Sequence, residues 1–217
     1  IAIVGKTGSG KSTIAQLMLR MYDINEGLIA YDGIPVNKID LETLRSRISY
    51  VPQDVFLFSD SISNNIRFGK NDATTEQVYK AAKQASIYEE INRFPEAFET
   101  MVGERGVTLS GGQKQRISIA RALVREPGIV IFDDCLSAVD GKTEQEILSS
   151  LNTYLEGRTA VIITHRIFAL LQFDKIVVMN EGRIVEMGTH SELLAINGLY
   201  TSMYNRQQEQ DKKPGES

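Results

Sequence analysis

Short apolar runs recur along the chain and alternate with amphipathic stretches. Ile1-Ala2-Ile3-Val4, Ile48-Ser49-Tyr50-Val51, Ile129-Val130-Ile131-Phe132 and Thr159-Ala160-Val161-Ile162-Ile163 are rich in β-branched residues, and polar or loop-forming sequence follows each. Runs of this kind suit strands covered on both faces, as in a parallel sheet. After residue 12 the pattern changes: Ile14, Leu17, Met18 and Met21 recur at helical spacing and predict a helix to Tyr22. From about residue 60 to 127 no strand pattern stands out. Thr74-Thr75-Glu76-Gln77 is a capping box that predicts a helix to about Ala85, and residues 87–94 read as another. Ser110-Gly111-Gly112-Gln113 is a second capping box, opening a helix to about Arg125 that Pro127 and Gly128 stop. Residues 175–179 and 183–187 flank Asn180-Glu181-Gly182, a hairpin signal, and Thr189 to Glu192 opens a last helix. Residues 205–217 are polar without an apolar period and are expected to fray. Together these patterns predict an α/β fold: a mainly parallel sheet built from residues 1–59 and 128–204, interrupted by an all-helical insertion over residues 60–127.

Composition narrows the class. A 42% hydrophobic content over 217 residues is enough for a packed core and too much for a disordered chain. The net charge of −4 gives no electrostatic reason to expect nucleic acid as a partner. One cysteine, Cys135, makes no internal disulfide, and after the strand that precedes it reads as a small packed residue rather than a redox group. No run of about 18 apolar residues suggests a membrane span. The chain starts abruptly on an apolar strand with no Met, which reads as a segment of something longer.

Three segments carry chemistry. Gly5-Lys6-Thr7-Gly8-Ser9-Gly10-Lys11-Ser12 fits the phosphate-loop pattern between a predicted strand and a predicted helix. Its glycines let backbone N–H groups face a polyphosphate, the helix start adds positive potential, Lys11 neutralises charge and Ser12 offers a hydroxyl to Mg²⁺. Gly5, Thr7, Gly8, Ser9, Gly10, Lys11, Ser12 and Thr13 are the expected phosphate-binding set. The run Ile129 to Phe132 ends on Asp133-Asp134, and an aspartate leaving a buried strand beside a phosphate loop is the usual Mg²⁺ partner. In Ser110-Gly111-Gly112-Gln113 the cap explains Ser110 and Gln113. It does not explain two glycines in a first helical turn, each costing about 1 kcal/mol against alanine. A second anion-binding helix start does.

Taken in order, these motifs resemble the nucleotide-binding domain of an exporter-type ATP-binding-cassette (ABC) transporter over nearly the whole chain. Residues 5–12 resemble its Walker A loop, Gln53 its Q-loop glutamine and Leu109 to Gln113 its signature. Asp133 resembles the Walker B aspartate, Ser137-Ala138-Val139-Asp140 the D-loop, and His165 the switch histidine. The stretch Val102 to Gly106, with Glu104, and the stretch Pro52 to Phe58 are similar to exporters. The resemblance implies a P-loop NTPase (RecA-like) core whose small N-terminal antiparallel β region, with its adenine-stacking aromatic, would lie upstream of Ile1. It implies ATP with Mg²⁺ held by Ser12, Gln53 and Asp133, and a head-to-tail pairing with a second nucleotide-binding domain. Ser110, Gly111, Gly112 and Gln113 would then read the partner's ATP, Asp140 would couple the two sites and His165 would contact the γ-phosphate. Glu104 and the Gln53 loop would face a transmembrane domain upstream in the same polypeptide, at the cytoplasmic face of a membrane. His190 is expected to be structural.

One position departs from the family pattern. Active members usually carry glutamate after the Walker B aspartate, and this chain has Asp134. The carboxylate retreats by roughly 1 to 1.5 Å, about one carbon–carbon bond, and a displacement of about 1 Å can cost on the order of 100-fold in rate. ATP binding should survive while hydrolysis at this chain's own site is slow. The intact signature could still complete a partner's site. This is the pattern of the degenerate half of a heterodimeric bacterial multidrug exporter. A homodimer in which Asp134 works as the base, and a soluble ABC ATPase, are the alternatives.

Overall fold

The computed structural model describes residues 1–103, 106–135, 147–151, 154–167 and 173–211. In chain order the elements are β1 (Ala2–Gly5), α1 (Lys11–Met18), β2 (Ala30–Tyr31), β3 (Ile34–Pro35), α2 (Leu41–Arg47), β4 (Ile48–Val51), α3 (Ile62–Arg67), α4 (Thr75–Gln84), α5 (Tyr88–Ile91), α6 (Gly111–Leu123) and β5 (Ile129–Asp133). They continue with β6 (Thr159–Ile163), β7 (Ile176–Asn180), β8 (Arg183–Gly188), α7 (His190–Ile196) and α8 (Leu199–Asp211). The chain divides into two compact units, Ile1–Asp40 with Val161–Ser217, and Leu41–Ala160. The strands are mostly parallel, as the apolar runs predict.

In the first unit β1 lies between β6 and β7 and is parallel to both. Strands that take partners on both sides and bury both faces need the unbroken apolar sequence that β1 and β7 carry. β8 returns antiparallel to β7 through a two-residue turn at Glu181 (φ 49°) and Gly182 (φ 75°), the left-handed pair that a tight hairpin requires. Ala2, Val4, Ile176, Val178, Leu193 and Tyr200 form one fully buried cluster. Burial of each large aliphatic side chain stabilises by about 1.5–3 kcal/mol. The Tyr200 hydroxyl, buried with its ring, shares a 2.7 Å hydrogen bond with His190 Nδ1, so His190 is structural as expected. Glu186 of β8 accepts the N–H groups of Leu199 and Tyr200 and so caps the start of α8.

In the second unit β4 and β5 pair in parallel, Tyr50 opposite Ile131 and Val51 opposite Phe132. Helix α6 is its spine and buries Ile117, Ile119, Ala120 and Leu123 against α3, α4 and β4. Arg121 of α6 donates to the Asn65 carbonyl and side chain and to the Phe56 carbonyl, and its guanidinium lies over the Phe58 and Phe68 rings.

Three expectations are corrected. The first helix ends at Met18 rather than Tyr22: Leu19 caps it and Arg20 turns left-handed at φ 50°, which leaves Met21 and Tyr22 exposed. The first part of the polar stretch from Asn205 is helical, since α8 continues to Asp211, and residues 212–217 lie outside the described residues. The helix expected over residues 87–94 is one turn, α5. The chain also forms α2, α3 and the β2–β3 hairpin, which no periodicity announced. Among the described residues no helix is long and apolar enough to cross a membrane.

Candidate nucleotide-binding site

The phosphate loop leaves β1 at Gly5 and enters α1 at Lys11. Gly5 has no room for a side chain: a Cβ there would stand 2.3 Å from the Met179 carbonyl oxygen and 2.6 Å from Ser9 Oγ. Gly10 is the N-cap of α1 in a left-handed conformation (φ 94°), and no side chain caps the helix. The first turn therefore presents backbone N–H groups at the positive end of the helix, the arrangement that receives phosphate. Lys11 Nζ folds back over the loop and donates to the Gly5 and Lys6 carbonyls at 2.9 Å each. The Gly182 N–H donates to the Ser9 carbonyl at 3.1 Å, so the β7–β8 turn braces the loop. Ser9 Oγ is buried with no hydrogen-bond partner. A buried hydroxyl in that condition costs about 1–3 kcal/mol unless a ligand or water meets it, so the loop fits a polyanion.

In the second unit Asp133 ends β5 and is 2% exposed. Tyr50 Oη donates to its Oδ2 at 2.9 Å. Burial first, and then the charge of Asp133, push the Tyr50 hydroxyl far above its usual pKa, so it stays a donor. Asp134 takes a left-handed backbone (φ 48°), a conformation that aspartate tolerates better than most residues. Cys135 behind it is buried, and desolvation pushes its thiol pKa up. Gln53 is exposed in the bend two residues past β4. Ser12, Gln53 and Asp133 offer only oxygen donors, the chemistry Mg²⁺ prefers.

The signature behaves as its capping box predicts. Ser110 Oγ accepts the Gln113 N–H at 3.2 Å, and Gln113 Oε1 accepts the Ser110 N–H at 2.9 Å. The N–H groups of Gly111 and Gly112, in the first turn, have no acceptor within the helix. Glu90 of α5 holds this turn from behind. It accepts Gln113 Nε2 at 3.1 Å and both terminal nitrogens of Arg116, at 2.5 and 3.0 Å. Arg116 also donates to the Ser86 and Gly112 carbonyls. Burial alone would raise the Glu90 pKa, but the hydrogen bonds from Arg116 and Gln113, with Arg116's charge, outweigh it and hold the carboxyl below its usual value.

His165 is exposed just past β6. Gln207 of α8 donates through Nε2 to its carbonyl and accepts the Ile167 N–H at 2.7 Å. Asp140 and Glu104 lie outside the described residues. Sequence reasoning missed Tyr50, Glu90, Gln207 and the Met179–Gly182 support of the loop. Each is an ordinary residue whose partner is more than 20 positions away.

A glycine loop between β1 and α1, with an aspartate ending a parallel strand, belongs to a P-loop NTPase core. The sequence model of the ABC transporter family matches residues 1–137, and the chain belongs to that family. It is 51% identical over 208 residues to YheI, a probable multidrug resistance ABC transporter ATP-binding/permease protein of Bacillus subtilis. That match takes in 96% of this chain and 36% of YheI. It is 47% identical over 208 residues to an ATP-dependent lipid A-core flippase of Legionella pneumophila (strain Paris), with 96% of this chain and 35% of the flippase covered. The structure of a bacterial Atm1-family ABC exporter with ATP bound superposes with a TM-score of 0.92 at 46% identity, over 95% of this chain and 36% of that one. The chain thus spans about a third of the length of the relatives it matches.

Proposed function

We propose that the chain is the ATP-binding and ATP-hydrolysing motor of an ABC exporter, driving efflux of drugs or lipid-like compounds by nucleotide-dependent dimerisation at the cytoplasmic face of a membrane. The observation that carries this reading is the phosphate loop: an uncapped helix start, Lys11 poised over the loop and a buried, unpartnered Ser9 hydroxyl, in a chain about half identical to ATP-binding/permease proteins.

In this reading the backbone of Gly5 to Ser12, with Thr13, binds the phosphates, and Lys11 swings from the loop carbonyls to the β- and γ-phosphates. Ser12, Gln53 and Asp133 would hold Mg²⁺, which when bound would supply positive charge against the phosphates. His165 contacts the γ-phosphate. Asp134 orients the attacking water and, one methylene short, does so poorly. Ser110, Gly111, Gly112 and Gln113 read the γ-phosphate of a nucleotide on a partner domain, Asp140 couples the two sites, and Glu104 meets the transmembrane domain. The exposed Phe56, three residues past Gln53, and the exposed Phe68, both packed on the Phe58 ring, support a contact on that side, because exposed aromatic patches mark interaction surfaces. The partner is a second ABC half-transporter of different sequence that carries glutamate in place of Asp134.

The test is a single-turnover ATP assay on the full-length protein with and without its partner. The reading expects ATP retained and slowly hydrolysed at the Asp134 site, and binding lost in Lys11→Ala. Rapid hydrolysis by the wild type alone, unimproved by Asp134→Glu, leaves a homodimer with Asp134 as a working base.

A further inference from the structure

We propose that Tyr50 is a positioning residue for Asp133, fixing the orientation in which that carboxylate receives Mg²⁺. The proposal rests on the reading of Asp133 as a metal ligand. It comes from strand register. Tyr50 and Ile131 are paired across parallel strands, so they share a face of the sheet. Asp133 lies two residues beyond Ile131 and shares that face as well, about 6.6 Å further along the strand at roughly 3.3 Å per residue. A tyrosine ring spans about that distance. Its hydroxyl reaches Asp133 Oδ2 at 2.9 Å, whereas Val51 and Phe132, the next pair, point to the opposite face.

The chemistry gives this contact a consequence. The terminal torsion of an aspartate is broad and roughly two-fold, so nothing intrinsic selects the plane of its carboxylate. A phenol has one proton to donate. With that proton on Oδ2, one plane is selected before metal arrives. Hydrogen bonds to metal-ligating carboxylates typically contribute about 10- to 100-fold in metal affinity. Phenylalanine would keep the ring packing and remove only the donor.

The test measures the Mg²⁺ concentration needed for half-maximal binding of a fluorescent ATP analogue to the full-length protein. In Tyr50→Phe the Mg²⁺ requirement rises about 10-fold, while metal-free nucleotide binding and the unfolding temperature stay near wild type. In an Asp133→Asn background the same tyrosine substitution adds nothing further, because Tyr50 acts through that carboxylate. An unchanged Mg²⁺ requirement in Tyr50→Phe overturns the proposal, and so does a full additive effect on top of Asp133→Asn. If Tyr50→Phe is unstable without metal and Asp133→Asn restores it, the hydroxyl serves only to satisfy a buried charge, and the proposal fails. A wild type that shows no Mg²⁺ response fails the metal reading of Asp133 itself. That result is distinct from a wild type that responds and a Tyr50→Phe variant that responds identically.

Discussion

Gln207 brackets the turn that carries His165. Its amide nitrogen donates to the His165 carbonyl and its amide oxygen accepts the Ile167 N–H at 2.7 Å, while Thr164 Oγ1 accepts the Arg166 N–H at 3.0 Å. The main chain from His165 to Ile167 is thereby held by a helix about 40 residues further on. A net hydrogen bond is worth about 1 kcal/mol. Gln207→Ala is expected to speed hydrogen exchange at the Ile167 amide roughly tenfold or more, and to lower ATP turnover with nucleotide affinity retained. Exchange at Ile167 equal to wild type would show that the bracket holds nothing.

The Glu90–Arg116 pair predicts an acid limb in stability. The folded pKa of Glu90 is lowered from its unfolded value of about 4.3. Its contribution is therefore fully present above that value and lost as pH falls through the folded one. Glu90→Gln should cost about 2 kcal/mol near neutral pH, since Arg116 keeps its burial and loses its carboxylate. The gap between mutant and wild type should close as acidification carries the pH below the usual glutamate range. Denaturant unfolding at several pH values measures this, and a gap that stays constant with pH removes the ion pair as its cause.

Asp134 predicts a trade. In a left-handed backbone a longer, unbranched side chain is less welcome than aspartate, so Asp134→Glu should lose about 1 kcal/mol of stability. With the partner present, the same change should raise single-turnover hydrolysis by up to about 100-fold. Thermal unfolding and rapid-quench kinetics read the two effects separately. A rate that does not move contradicts the degenerate-site reading even if stability falls as expected.

Cys135 predicts inertness. Its thiol is buried and its pKa is pushed up by desolvation, so little thiolate exists at neutral pH. Iodoacetamide should label the native protein slowly and label it promptly only in denaturant. Mass spectrometry after timed quenching measures both rates, and fast native labelling would place the thiol at the surface.

Local signals carried most of the frame. Three capping boxes, Thr74–Gln77, Ser110–Gln113 and Thr189–Glu192, form as the spacing predicts, because both of their hydrogen bonds close within four residues. The strands at residues 48–51 and 159–163 have the predicted bounds. What the sequence hid depends on register and distance. Nothing near Tyr50 says that its hydroxyl will meet Asp133, 83 positions away, until β4 and β5 are paired. The premature stop of α1 is equally non-local. Arg20 turns away from the helix and donates to the Ile39 carbonyl, a contact that overrides the helical spacing of Met21. The phosphate-loop motif is legible because its pattern is contiguous, whereas the contacts that hold the loop in shape come from elsewhere in the chain.

The bond from the Gly182 N–H to the Ser9 carbonyl, with the Met179 carbonyl against Gly5, joins segments some 170 residues apart at the phosphate loop. The loop is synthesised before its floor, which leaves the ribosome some 170 residues later. A nascent chain therefore carries the complete phosphate-loop sequence through the synthesis of those residues without the brace that the finished loop has. On the proposed function, nucleotide meets a braced loop only after the β7–β8 hairpin has emerged, so ATP would stabilise finished domains and give no help to unfinished ones.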